Sequence, residues 1–484
     1  MGDQEPEEMP GTTAAAPAKG KGMWIGIVVV AIVIIILLAA VFGGLFGAPA
    51  PPPSCTQGDG LKIGTVLTLT GTSGLEAFGP KNQRGASLAA KEINDDGGVN
   101  GFCVVLIHED DTGADATAGD RANKLVTTDQ VDAILGAVGS SKCQAVLGVA
   151  KPNSVVQISA SCTSPVFTDL AYTGGWFFRT APSDALQGVV AANYSFNNRS
   201  FTDMAVIGNN NAYGQGLANV FATEFVRQGG TARVAIFAEA QPGGYSSDLT
   251  ALFTPIPEAV YMANYPTDGL QVMRDWAANP AWSSIEWIFS EGVLDQTAFI
   301  NALVTAGINT DPFEGSAPGA YLGIVGALYD NFATAYKAEY NNQDPGLFTA
   351  NAYDAVYLLA AAAQKAGAST SAGIKANLVS VSSPPGQAFQ GGRWTAMRAA
   401  LDAGTEINYE GASGAVDLDT FGEPLSGYAI WGTDDTTNQI ETLEYFNEAT
   451  VVAMLPAPPA PAPPAMRSFR PLSWAVVGCP TRFR

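Results

Sequence analysis

Histidine is nearly absent from this sequence: His108 is the only one, and there are five cysteines in 484 residues. So few residues leave little room for histidine-based catalytic triads or for clustered His/Cys metal sites. Bases are also scarce, 24 lysines and arginines against 45 acids, for a formal net charge of -21. That balance argues against nucleic acid as a partner, because phosphate binding needs a basic face. No nucleophile elbow, Walker sequence or dinucleotide fingerprint occurs, so nothing supports an enzyme or an ATPase, and no cofactor is expected. Acids are missing altogether after Glu448, while Arg467, Arg470, Arg482 and Arg484 follow it. This shift sets the last segment apart from the main body.

One long apolar run is present. Residues 1–22 are polar and rich in Pro, Ala and Gly, and read as a disordered tail. Met23 to Ala48 carries no charge and is long enough to cross a bilayer. Lys19 and Lys21 on its amino side place the N-terminus in the cytoplasm and all that follows outside. An uncleaved membrane anchor is preferred; a cleaved signal peptide stays open because Ala48-Pro49-Ala50 is a small-residue site. Residues 49–60 form a Pro-rich spacer, and the Pro-Pro-Ser before Cys55 does not favour lipidation of that cysteine. The Pro/Ala repeat and basic tail over 453–484 read as disordered.

Between these ends the pattern alternates strand and helix. Strands are expected at Lys62–Leu69, Cys103–His108, Val131–Val138, Val155–Ser159, Met204–Gly208, Arg233–Ala238, Ala259–Met262 and Trp287–Phe289, with a helix near Asn82–Asn94. Such alternation implies α/β architecture with parallel sheets covered on both faces, and two runs of it imply two lobes. The most informative stretch is Gly139 to Thr163. It puts Gly-Ser-Ser and Ser-Ala-Ser-Cys-Thr-Ser-Pro at the carboxyl ends of neighbouring strands. Ligands collect at that edge of an open α/β sheet, and hydroxyls beside a helix start suit a small carboxylate.

Several segments resemble one family. Lys62-Ile-Gly-Thr-Val-Leu-Thr-Leu-Thr-Gly, the helix-and-turn segment from Gly85 to Gly101, Asp110-Asp111-Thr112, Ile158-Ser-Ala-Ser-Cys-Thr-Ser-Pro, Asn211-Ala-Tyr-Gly-Gln-Gly-Leu-Ala and the stretch from Tyr409 to Asp419 carry the likeness. In order and spacing the chain from about Leu61 to Val452 resembles the periplasmic branched-chain amino-acid (Leu/Ile/Val) binding proteins of ABC importers. The resemblance implies the type I periplasmic-binding-protein fold: two Rossmann-like lobes joined by a multi-strand hinge, here behind an N-terminal transmembrane helix. Lobe one would hold residues 61–181 and 316–415, and lobe two 182–315 and 416–452.

The likeness also implies site residues. Ser140 and Thr163 would hold a ligand carboxylate. The carbonyl of Ser161 and the acid Glu291, in Ile288-Phe-Ser-Glu-Gly-Val, would hold its ammonium. Tyr213, Tyr265 and Phe78 would cover the ligand. Without the resemblance, the serines read as caps, the tyrosines as core and Glu291 as a surface acid. The chemistry fits the sharper reading, since a zwitterion needs anion donors and one desolvated acid close together. An extracellular location allows a disulfide between Cys143 and Cys162, which would staple the two binding loops, while Cys103 is expected to be unpaired or buried. Lys142 is more polar than the family leads one to expect, and favours an acidic or amide-bearing ligand over leucine or valine. Glu109-Asp110-Asp111 and Asp417 to Gly422 read as capped turns rather than cation sites, so no metal is expected. The function implied is a membrane-tethered, extracellular protein capturing amino acids, branched-chain or otherwise apolar, for an ABC importer whose permease and ATPase are other chains. The alternative is a sensor of amides, urea or amino acids on the same fold.

Overall fold

The computed structural model describes residues 55–58, 60–319 and 326–456. The expected anchor at 23–48, the tail before it and most of the spacer and the basic tail lie outside the described residues. Among the described residues no helix is long and apolar enough to cross a membrane.

Two main sheets organise the chain. The first has five parallel strands, β1 (Lys62–Leu67), β2 (Val105–Asp110), β3 (Ala133–Gly136), β4 (Val156–Ser159) and β5 (Phe177–Arg179), in the order β2-β1-β3-β4-β5. The second has seven, drawn from β6 (Asp203–Asn209), β7 (Thr231–Phe237), β8 (Ala259–Ala263), β9 (Glu286–Phe289), β10 (Phe313–Pro318), β14 (Tyr428–Thr433) and β15 (Ile440–Phe446). Their order is β15-β14-β10-β9-β8-β6-β7, with β14 and β15 antiparallel to their neighbours. A small third sheet holds β11 (Gln387–Gln390), β12 (Ile407–Gly411) and β13 (Gly414–Ala415). The chain leaves the five-stranded sheet after β5, packs against it again in the helix Thr349–Ala366, and ends in the seven-stranded sheet. That helix is apolar on almost every face, so it is buried on almost every face, against β1, β3 and β4.

The strands fall where alternation put them, with ends moved by at most two residues. The first helix starts earlier than expected, at Gly79, because Pro80 suits a first helical turn. The second strand starts later, at Val105, because Phe102 and Cys103 are used by a bridge to the chain around Thr56. That bridge overturns one expectation: Cys103 is buried but not unpaired. Its sulfur is bonded to Cys55, so Cys55 is a structural cysteine and not a lipid attachment point. The cause is local pairing, since Thr56 exchanges backbone hydrogen bonds with Gly101 and Cys103 and brings the preceding residue alongside. Cys143 and Cys162 are bonded to each other as expected. The two acidic segments are turns: Asp110 accepts from Leu69 N and Thr112 N, and Asp419 accepts from Phe421 N.

Candidate ligand site between the sheets

The site begins with the two loops past β3 and β4. Gly139, at φ 90°, turns the chain into the helix Ser140–Ala150. Ser140 Oγ accepts from Ser164 N at 3.2 Å, which ties one loop to the other beside the Cys143–Cys162 bond. Arg179, at the end of β5 and almost wholly buried, donates to the carbonyls of Cys162 at 3.1 Å and Ser164 at 2.9 Å. Its charge is met by Glu423. Thr163 is thus held from both sides, and its Oγ1 is buried with no hydrogen-bond partner among the described residues.

The facing wall comes from the second sheet. Glu291 opens a short turn after β9 and is 2% exposed. Its Oε2 accepts from Gln187 Nε2 at 2.5 Å and Tyr213 Oη at 3.1 Å. Burial nevertheless pushes the Glu291 carboxyl up to about 7. Tyr213 stands in the first turn of the helix Ala212–Arg227 and stacks on Tyr265, centroids 5.1 Å apart. Gly292 packs so close that a side-chain carbon there would lie 2.6 Å from Tyr213 Oη.

Five of the expected residues, Phe78, Ser161, Tyr213, Tyr265 and Glu291, line one small cavity together with Leu75, Val138, Gly139, Gly292, Leu347 and Phe348. Ser140 and Thr163 are not in its lining but sit directly behind it, next to Gly139 and Ser161. The cavity measures about 20 Å³, room for roughly one water molecule. The lobes are drawn together here: Ser164 Oγ donates to Ala212 O at 2.8 Å, and Ala212 N donates to Ser141 Oγ at 2.9 Å.

Three features were not anticipated. Asp184 is fully buried in the first turn of the helix Asp184–Asn193, its N–H on Thr163 O at 2.8 Å. Both its carboxylate oxygens lack a partner among the described residues, and burial, with the Glu291 charge added, holds its carboxyl well above the usual range. Ser183-Asp184 before an apolar helix is an N-cap signal, but a cap alone did not point to a site. Gln187, one turn further on, faces Glu291 from the same helix. Phe348 has φ +62°, a strained backbone for a bulky residue, held where Asn82's amide reaches the carbonyls of Leu347 (3.2 Å) and Phe348 (3.3 Å). No periodicity marks it.

The cavity is walled by Gly139 and Ser161 from the loops past β3 and β4 and by the buried acid Glu291 from the turn after β9, with aromatic and aliphatic cover.

Comparison with known proteins agrees with this fold. The family profile described as periplasmic binding protein matches residues 60–401. The chemotactic signal transduction system substrate-binding protein BasB of Halobacterium salinarum is 29% identical over 400 residues, covering 80% of this chain and 90% of its own. The Leu/Ile/Val-binding protein BraC3 of Rhizobium johnstonii is 31% identical over 326 residues, 64% of this chain and 81% of its own. Among solved structures, the leucine-binding protein LivK of Thermotoga maritima superposes with a TM-score of 0.67 at 21% identity, covering 80% of this chain and 99% of that one. With its two sheets, its crossings and its enclosed site, the chain belongs to the periplasmic binding protein family.

Proposed function

We propose that this protein captures an α-amino acid outside the cell and presents it to an ABC importer whose permease and ATPase are separate chains. The observation that carries the reading is one small cavity lined by Ser161 from the loop past β4 and by the buried acid Glu291 from the turn after β9, with Ser140 and Thr163 beside the lining residues Gly139 and Ser161. A ligand carboxylate would meet the hydroxyls and the helix start at Ser140. Its ammonium would meet Glu291, the buried acid in the cavity wall. Leu75, Phe78, Val138, Leu347 and Phe348 give apolar cover, in keeping with branched-chain or other apolar amino acids and with the ligands named for BraC3. Opening and closing of the lobes would admit and trap the solute. Residues 23–48 would tether the protein to the membrane, and two disulfides suit an oxidising exterior.

A second reading, an amino-acid sensor feeding a signalling partner, is favoured by the chemotactic relative that matches 80% of this chain. Thermal-shift measurements on the full-length chain with amino acids, amides and urea test the common part of both. An amino acid should raise the melting temperature, and Glu291→Gln should abolish that rise while the unliganded protein still folds. An unchanged rise in the variant removes Glu291 from the site.

A further inference from the structure

The seven-stranded sheet ends on β7, which pairs with β6 on one side and, among the described residues, with no strand on the other. In this parallel register Thr231, Arg233, Ala235 and Phe237 turn their backbone groups toward β6. Thr231 N donates to Thr202 O, and Phe237 O accepts from Asn210 N. Ala232, Val234 and Ile236 therefore point their N–H and C=O groups outward, off the edge of the sheet.

Proteins blunt such edges with charge, brevity or irregular pairing. Three of the four outer strands of the two main sheets are treated this way. β2 carries Glu109 and Asp110. β15 carries Glu441 and Glu444 and a break in register. β5 is three residues long, with Arg179 N already on Gly422 O. β7 has none of these devices: its register is unbroken over seven residues, and it holds no acid and no proline. Its single charge, Arg233, is answered by Asp203 at 2.9 Å. Val234 and Ile236 are 41% and 38% exposed. Val226 and Ile256 are exposed beside them, the first next to Phe225, whose carbonyl accepts from Gly230 N, the second next to Pro255, whose carbonyl accepts from Arg233 Nη2.

We propose that this edge is the interface of a twofold dimer, with β7 paired antiparallel to β7 of a second copy of this chain. Centred on Val234, the register is self-complementary. Val234 meets Val234, and Ala232 meets Ile236 of the second copy, so each outward-pointing pair exchanges both its N–H···O bonds. On the other face Arg233 meets Ala235, so no like charges are set opposite each other. Charge also selects the place: a chain of net charge -21 repels its own copy over most of its surface, and two copies can meet along an edge free of acids. The helix Ala212–Arg227 covers one face of the sheet here and the helix Ser246–Leu252 the other. A strand edge ~24 Å long in a stack of layers each roughly 10 Å thick gives a footprint on the order of 700 Å² per copy. That is close to the ~800 Å² per partner of a stable interface.

Analytical ultracentrifugation of the full-length chain in detergent micelles tests this. Wild type should sediment as a reversible dimer. Val234→Lys places two ammonium groups on the twofold axis and should weaken the dimer about tenfold. Val234→Glu should do the same, and a mixture of the two variants should recover a mixed dimer, because the residue faces its own copy. Leu443→Lys, at the opposite edge of the same sheet, should leave the dimer unchanged. A monomeric wild type, a dimer that Val234→Lys leaves intact, or one that Leu443→Lys weakens as much, overturns the interface. Should the Val234 variants fail to fold, Ile236→Lys, which meets Ala232 twice in each dimer, gives the same reading.

Discussion

Lys81 Nζ lies 2.6 Å from Asp295 Oδ2, joining the helix Gly79–Asp95 beside the first sheet to the turn after β9 of the second. It closes the mouth of the cleft, in the wall of a broad opening of about 760 Å³. Asp295 also accepts from Thr297 N and Ala298 N, so it serves its own lobe as a cap, whereas Lys81 serves only the closure. Gly74 helps the approach: at φ +92°, it has no side chain, and one would lie 2.8 Å from Pro266 Cδ.

Lys81→Ala should loosen the closed form without harming either lobe. Ligand affinity should drop about two- to fivefold, as expected for a partly exposed pair. The change should sit in a faster dissociation rate, and it should shrink in high salt. Stopped-flow release of bound amino acid at two salt concentrations measures this.

If Glu291 holds a ligand ammonium as proposed, binding should depend on pH. Its carboxyl is raised from 4.5 to about 7, chiefly by burial, and a ligand ammonium needs it ionised. Affinity should rise as pH climbs from 5 through 7, then level off. Stability of the unliganded protein runs the other way. The folded state holds a proton that the unfolded state has lost between pH 4.5 and 7, so stability falls as pH rises through that window, by up to roughly 3 kcal/mol. Glu291→Gln should flatten that contribution to the denaturation midpoint when it is followed from pH 4.5 to 8.

Arg179 supports Thr163 from below. Its guanidinium donates to two loop carbonyls, to Thr168 Oγ1 and to Glu423. Arg179→Met leaves those acceptors and the Glu423 charge unmet, and should cost about 3–5 kcal/mol. Arg179→Lys should restore little, because a point charge cannot reproduce the fork. Chemical denaturation gives the first quantity, and weakened ligand binding in the surviving folded protein the second.

Thiol chemistry checks both disulfides. Unfolded but unreduced chain should show at most one free thiol, and five after reduction, since four of the five cysteines are paired. Replacing Cys143 and Cys162 by alanine, a separation of 19 residues, should cost about 3 kcal/mol by loop entropy. It should also weaken ligand binding, whereas replacing Cys55 and Cys103, away from the site, should affect stability alone.

The sheets were legible because alternation is a periodic signal and periodic signals survive in one dimension. The Gly139–Thr163 loops stood out through the family resemblance, since their serines alone read as ordinary helix caps. What stayed hidden was set by contacts between distant segments. Cys55 meets Cys103 only because Thr56 pairs across to Gly101 and Cys103. Phe348 enters the cavity only because Asn82, far back on the first helix, engages its strained backbone. Asp184 follows the helix cap Ser183 with no signal of its own, and only its burial with its N–H on Thr163 O brings it beside the site.

The Cys143–Cys162 bond carries a consequence for when the protein becomes competent. It ties the helix Ser140–Ala150 to the loop past β4 covalently, so ordering these two loops together costs little further entropy. The bond forms only under oxidation. A chain whose two thiols stay reduced would lack the covalent tie between the helix Ser140–Ala150 and the loop past β4.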